Sequence, residues 1–129
     1  MAWIHVVTLL ALLEYIGFIA LVGRARGQYG IKAPATAGHE MFERYFRVQM
    51  NTLELLIVFV PALWMAAAYW NPVWVAVLGA VYLIGRVLYL RGYVADPRSR
   101  SMGFALSATS IILLLLAAAI GVFRQLTGI

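Results

Sequence analysis

Four long apolar segments alternate with short polar breaks along the chain. The segments cover residues 3–22, 40–69, 72–94 and 101–124, each counted to within a residue or two. An α-helix needs roughly 20 apolar residues to cross a bilayer, and all four segments reach that length. The pattern predicts four transmembrane helices.

The breaks between the segments carry turn signals. Residues 23–39 are rich in Gly, Ala and basic residues, which is typical of a loop. Asn71-Pro72 predicts a tight turn with the proline in the first turn of the third helix. Asp96-Pro97 ends that helix, and Ser101 is the predicted N-cap of the fourth. We therefore predict one all-α domain over residues 1–129, an integral membrane four-helix bundle.

Composition supports a membrane protein and excludes several kinds of site. Of the 129 residues, 64% are hydrophobic and only 12% are charged, more apolar surface than a soluble domain of this size can bury. There is no cysteine, and His5 and His39 share no spacing with other ligands, so no metal site is expected. The net charge of +5 has no soluble basic domain to carry it, so nucleic-acid binding is not expected.

The basic residues divide unevenly between the two sides of the membrane. Only Arg124 lies toward the side of the second loop. The others belong to the half with the first and third loops: Arg24, Arg26, Lys32, Arg44, Arg47, Arg86, Arg91, Arg98 and Arg100. The positive-inside rule places loops 23–39 and 95–100 in the cytoplasm and both termini on the opposite side. With loops this short, a bacterial inner membrane is the expected location.

Two rows of polar residues interrupt the apolar segments. The row in segment two contains Arg47, Gln49, Asn51 and Glu54, and the row in segment three contains Tyr82, Arg86, Tyr89 and Tyr93. Spacings of three, four and seven residues put most of each row on one helix face. Ionisable groups inside a membrane span usually face the bundle interior and indicate a functional site.

The two rows are predicted to lie at matching depths. The helices run antiparallel from the Asn71-Pro72 turn, and a rise of about 1.5 Å per residue puts Glu54 and Arg86 both roughly 21–23 Å from it. Asn51 and Tyr89 are both predicted to lie roughly 26 Å from the turn, about one helical turn beyond Glu54 and Arg86. Two interpretations stay open: an internal Glu54–Arg86 ion pair, or a surface that binds a zwitterionic, carboxylate-rich ligand.

Three further charged residues have two interpretations each. Arg98 and Arg100 precede the fourth helix, where a guanidinium adds to the positive end of the helix dipole and can stabilise an anion such as a thiolate. Alternatively, they only set the topology. Glu14 lies in the middle of the first span and needs either a hydrogen bond to a neighbouring helix or a wet cavity.

The motifs FERYFRVQMNTLE and RVLYLRGY resemble the MAPEG family of membrane-associated proteins in eicosanoid and glutathione metabolism. The resemblance is stronger to the branch that contains leukotriene C4 synthase and microsomal glutathione transferase 2, and it extends over nearly the whole chain. It implies a homotrimer that binds glutathione as co-substrate between adjacent subunits, near the cytoplasmic side and without a metal.

The resemblance also implies roles for individual residues. It assigns glutathione binding to Arg26, Arg47, Gln49, Asn51, Glu54, Tyr89 and Tyr93. Arg100 matches the arginine that lowers the pKa of the glutathione thiol, so it is the catalytic candidate. Arg24 is an alternative to Arg26 because the loop differs in length, and Leu55 replaces a tyrosine ligand of leukotriene C4 synthase.

The resulting hypothesis is a detoxifying glutathione transferase, with glutathione peroxidase as an additional activity. Its second substrate would be a lipophilic electrophile or a lipid hydroperoxide that arrives from the membrane lipid. Two other classes stay open: a small multidrug-type transporter that uses Glu14, and a non-catalytic lipid-binding membrane protein. Retention of the polar residues favours the enzyme.

Overall fold

The chain folds into four long α-helices, described over all residues Met1–Ile129 by a computed structural model. The helices are α1 (Ala2–Tyr29), α2 (Glu40–Tyr69), α3 (Pro72–Ala95) and α4 (Ser101–Thr127), with a 3-10 turn at Pro97–Arg100. Each of the four is long and apolar enough to cross a membrane. The predicted four-helix membrane bundle is confirmed, and the chain is a multi-pass integral membrane protein.

The helix ends follow local capping chemistry. The side chain of Asn71 accepts a hydrogen bond from the Val73 amide at 2.9 Å, which caps α3 as the Asn-Pro signal predicted. α1 runs past the predicted end at Val22 because nothing stops it before Gly30, whose φ of 69° is left-handed.

The prediction of Ser101 as an N-cap is wrong. The chain enters a 3-10 turn before α4, and the Asp96 carboxylate accepts from the Arg98 amide at 3.1 Å. Asp96 therefore caps the 3-10 turn, and α4 continues directly from it. Arg100 takes the N-cap position of α4 without a side-chain hydrogen bond.

α2 and α3 pack against each other, and each of them also contacts α1 and α4. α1 lies against α2 and α3, and α4 lies against the same two helices. The main apolar core contains buried side chains of all four helices, among them Ile4, Leu63 and Leu114. Phe59 of α2 stacks on Tyr82 of α3 with 3.8 Å between ring centroids.

The outer surface of the bundle is strongly apolar. Large side chains point away from the core, with exposed fractions of 63% for Leu13, 68% for Ile57 and 71% for Trp74. A soluble monomer rarely exposes so much contiguous apolar surface, whereas a bilayer solvates it.

Small residues bring α3 and α4 into close contact. A Cβ atom added to Gly85 would lie 2.6 Å from the Ser107 hydroxyl oxygen, and one added to Gly103 would overlap the backbone of Tyr89. Helices in membranes use such glycines to let their backbones approach. The close approach places the Ser107 hydroxyl of α4 beside residues of α3.

We expect Gly103→Ala to lower the melting temperature of the detergent-solubilised protein, because the new methyl group must push α4 away from Tyr89. Overpacking of this kind costs about 1–3 kcal/mol. Gly17→Ala is the control, since a Cβ there meets no atom within 4 Å. Equal melting temperatures for the two variants would contradict the close packing of α3 on α4.

Candidate functional site

A polar cleft opens where α2, α3 and the start of α4 meet. It has a volume of about 350 Å³ and is lined by Arg47, Asn51, Tyr89, Arg100, Ser101 and Phe104. A volume of this size is typical of a small-molecule site. The cleft lies toward the membrane side that the charge distribution predicts to be cytoplasmic.

Each wall of the cleft comes from a different element. Arg47 and Asn51 lie one turn apart on α2, Tyr89 of α3 is buried beside them, and Arg100 ends the 3-10 turn before α4. No acidic side chain lines the cleft. Two guanidinium groups beside a helix N-terminus make it suited to an anionic ligand.

Arg86 lies beneath the cleft and is fully buried. Its Nη1 donates to the Asn51 side-chain oxygen at 2.7 Å and to the Thr52 hydroxyl at 3.2 Å, and its Nε donates to the Ser107 hydroxyl at 2.9 Å. The guanidinium carbon also lies 4.4 Å from the centre of the Tyr89 ring. The hydrogen-bond partners of Nε and Nη1 are therefore neutral oxygens, an aromatic face lies against the guanidinium, and Nη2 has no hydrogen-bond partner.

The ion pair between Glu54 and Arg86, one of the two interpretations of the sequence, is not formed. Glu54 is exposed, whereas the Arg86 side chain lies inside the bundle. Residue counting along the two helices predicted that polar residues of α2 and α3 lie at similar depths, and the contact between Arg86 and Asn51 agrees with this to within about one helical turn. It could not predict that the long Arg86 side chain contacts Asn51, which lies about one turn closer than Glu54 to the start of α2.

Tyr93 adjoins the cleft through Tyr89, and Arg44 joins α2 to α3. Tyr93 is half-buried and stacks on Tyr89 with 5.6 Å between ring centroids. The Arg44 Nη1 donates to the carbonyl oxygens of Val94 and Ala95 at 2.8 and 3.2 Å. Arg44 thus ties the start of α2 to the end of α3, and it satisfies carbonyl groups that a helix end leaves free.

Two of the predicted ligands lie away from this cleft. Gln49 is directed toward α1, where its Nε2 donates to the Tyr15 hydroxyl at 3.3 Å. Arg26 donates to the Ala35 carbonyl at 2.7 Å and lies over the Phe42 ring. The predicted glutathione residues therefore fall into two groups, on two different sides of α2.

Arg24, the alternative to Arg26, is exposed. It lines a smaller cleft of about 220 Å³ on the same side of the bundle as Gln49, together with Leu21, Ala25, Gln28, Tyr29 and Tyr45. Arg24 makes no side-chain hydrogen bond that would hold it to the loop, in contrast to Arg26. Both arginines are on the side of α2 opposite to the Arg100 cleft.

Glu14 lies outside both clefts. It borders a groove of about 520 Å³ between α1 and α3, whose other lining residues are all apolar. One of its carboxylate oxygens is buried without a hydrogen-bond partner, as are the Tyr82 hydroxyl and one terminal nitrogen of Arg86. The hydrogen bond to a neighbouring helix that the sequence suggested for Glu14 is therefore not formed by this oxygen.

Several residues of the site carried no strong sequence signal. Thr52 and Ser107 are short hydroxyl side chains in apolar segments, and only the fold shows that both contact Arg86. No three His, Cys, Asp or Glu side chains are grouped so that they could hold a metal ion.

Comparison with known proteins finds a matching family model and several relatives of similar length. The family model described as "MAPEG family" matches residues 4–120. An uncharacterized protein from Synechocystis sp. is 46% identical over 124 residues, which are 96% of this chain and 90% of that protein. Microsomal glutathione S-transferase 2 from Homo sapiens is 40% identical over 90% of this chain and 79% of its own length. Leukotriene C4 synthase from Cavia porcellus is 35% identical over 96% and 83%.

Proposed function

The chain belongs to the MAPEG family, and from this membership and the polar cleft we propose that it is a membrane glutathione transferase. The observation that carries the proposal is the convergence of Arg47, Asn51, Tyr89 and Arg100 on one cleft. Relatives named microsomal glutathione S-transferase 2 support glutathione as the co-substrate.

The donors of the cleft suit the anionic parts of glutathione. Arg47 presents a guanidinium that matches a carboxylate in bidentate geometry, and the hydroxyl groups of Tyr89 and Tyr93 add further donors. Glu54 lies on the same face of α2 as Arg47 and is exposed, so its carboxylate is the acceptor proposed for the glutathione ammonium.

Arg100 is the proposed catalytic residue. A free thiol has a pKa of about 8.5, and a neighbouring guanidinium at a helix N-terminus stabilises the thiolate. The thiolate sulfur then attacks the electrophilic carbon of a lipophilic acceptor, and a carbon–sulfur bond forms as the electron pair moves onto the acceptor or its leaving group. With a lipid hydroperoxide, the same thiolate attacks the terminal peroxide oxygen, the O–O bond breaks, and the lipid leaves as an alkoxide that takes up a proton to become the alcohol. The sulfenic acid of glutathione then reacts with a second glutathione to give the disulfide and water, which completes the additional peroxidase activity.

A homotrimer is proposed because the site is incomplete within one subunit. Gln49 and Arg26 lie on the far side of α2 from the Arg100 cleft, so only a neighbouring copy could bring such residues to it. The charged groups of Arg47 and Glu54 are also exposed on a membrane helix, where a partner surface would cover them.

The proposed setting is a bacterial inner membrane, with glutathione entering from the cytoplasm and the acceptor from the bilayer.

The test is a titration of the purified, detergent-solubilised protein with glutathione, followed by the ultraviolet absorbance of the thiolate at pH 7. We expect a saturable signal, and we expect S-methylglutathione, which has no thiol, to displace glutathione and abolish it. No saturable signal at millimolar glutathione would overturn the proposal. The transporter hypothesis would then be tested at Glu14.

A further inference from the structure

Asn51 belongs both to the cleft wall and to the bundle interior. Its side-chain oxygen accepts a hydrogen bond from the Arg86 Nη1 at 2.7 Å, while the residue also lines the cleft. A guanidinium has donors only, so the atom of the amide that faces Arg86 must be the oxygen. The amide nitrogen, with its two hydrogens, is left as the group that Asn51 can present to a ligand.

Two of the three guanidinium nitrogens of Arg86, Nε and Nη1, are held by hydrogen bonds, and only Nη2 has no partner. The Arg86 Nε donates to Ser107, and Ser107 in turn donates to the Gly103 carbonyl at 2.8 Å. Thr52 accepts a second bond from Nη1, and the Tyr89 ring covers the guanidinium at 4.4 Å. The side chain is fully buried, which excludes water as a competitor for these bonds.

We infer that Arg86 is a positioning residue, which fixes Asn51 as a hydrogen-bond donor toward a carboxylate or peptide carbonyl oxygen of glutathione. The inference rests on the proposed function. It makes Arg47, Asn51 and Arg100 donors of the cleft, beside the hydroxyl groups of Tyr89 and Ser101, which can both donate and accept. With its oxygen directed at Arg86, Asn51 presents its N–H groups to the ligand, and these cannot accept a hydrogen bond from the glutathione ammonium.

The variant Asn51→Asp distinguishes the contact of residue 51 with Arg86 from its contact with the ligand. The new carboxylate accepts a charge-assisted bond from Arg86, so the ligand-free protein should melt at the wild-type temperature or higher. The cleft, however, loses an N–H donor and gains a negative charge, so the Kd for glutathione should rise about tenfold or more. A residue with a purely structural role would not give stability and affinity changes of opposite sign.

Arg86→Met tests whether Arg86 acts through Asn51. We expect this variant to raise the KM for glutathione while turnover at saturating glutathione stays close to wild type, since Arg100 is untouched. In an Asn51→Ala background, Arg86→Met should change the glutathione affinity no further, because the residue through which it acts is gone. Arg91→Met, at an exposed position of the same helix, is the matched control and should leave the affinity unchanged.

The outcomes distinguish this inference from the proposed function. A wild-type protein that does not bind glutathione overturns the proposed function and the inference with it. If the wild type binds and Asn51→Asp binds as tightly or more tightly, only the inference is overturned, because Asn51 then serves as an acceptor. Asn51→Asp must also destabilise an Arg86→Met protein, and a failure to do so would show that Arg86 does not hold residue 51. This last measurement needs no ligand.

Discussion

Replacing Arg100 with alanine is expected to lower turnover at pH 7 by up to about thirtyfold while most of the glutathione affinity remains. Thiols next to cationic groups at helix N-termini ionise one or more pH units below an ordinary thiol. A thiol of pKa about 8.5 is only about 3% thiolate at pH 7, so full ionisation raises the thiolate fraction about thirtyfold. Arg47, Asn51 and Tyr89 stay in the cleft of this variant, so glutathione keeps most of its partners.

The pH dependence identifies the cause of this loss. Without Arg100, the thiol pKa rises toward its free value, so the ratio of mutant to wild-type rate should increase as the pH is raised from 7 toward about 9. The measurement is the steady-state rate with a soluble lipophilic electrophile at saturating glutathione. Arg98→Ala is the control, because Arg98 belongs to the same 3-10 turn but does not line the cleft. A defect of constant size across this pH range would assign Arg100 to another role.

Two inactive variants of the chain are expected to restore activity to each other when they are expressed together. The first variant, Arg100→Ala, removes a residue of the α4 side, and the second, Arg26→Glu, places a negative charge on the α1 side. If each site takes one side from each of two subunits, random mixing leaves about a quarter of the sites with both sides intact. Each variant alone would remain close to inactive.

The complementation experiment has a control pair of variants and an outcome that would contradict a shared site. Arg47→Ala mixed with Arg100→Ala should give no restoration, because both residues line the same cleft of one chain. Arg24→Glu in place of Arg26→Glu shows which of these two arginines faces the neighbouring site. Absence of restoration, in mixed assemblies confirmed by two different affinity tags, would contradict a site shared between subunits.

The architecture could be predicted from the sequence because hydropathy and turn chemistry decide it. Segment length predicted four spans, and Asn71-Pro72 predicted a turn that the Asn71 cap confirms. Helical spacing placed Arg47 and Asn51 on one face of α2, and both line the cleft. These features depend on local rules that operate within a few residues.

The contacts of the polar interior could not be predicted in the same way. Depth counting suggested Glu54 for Arg86, but the guanidinium bonds Asn51, Thr52 and Ser107 instead. Which partner it meets depends on how closely α4 approaches α3, and that distance is set by Gly103 and Gly85. The same reasoning applies to Ser101, whose predicted cap was replaced by Asp96 once the 3-10 turn formed.

The α1–α2 and α3–α4 connections differ in how much variation in length the cleft can tolerate. The connection from α1 to α2 spans ten residues, 30–39, between Tyr29 and Glu40, and it holds none of the residues of the Arg100 cleft. The connection from α3 to α4 is a single 3-10 turn that ends at Arg100 itself. One residue inserted between Arg100 and Ser101 would rotate Arg100 by about 100° around the axis of α4 and carry it away from Asn51. Relatives that keep the chemistry should therefore vary in the first connection and keep the length of the second.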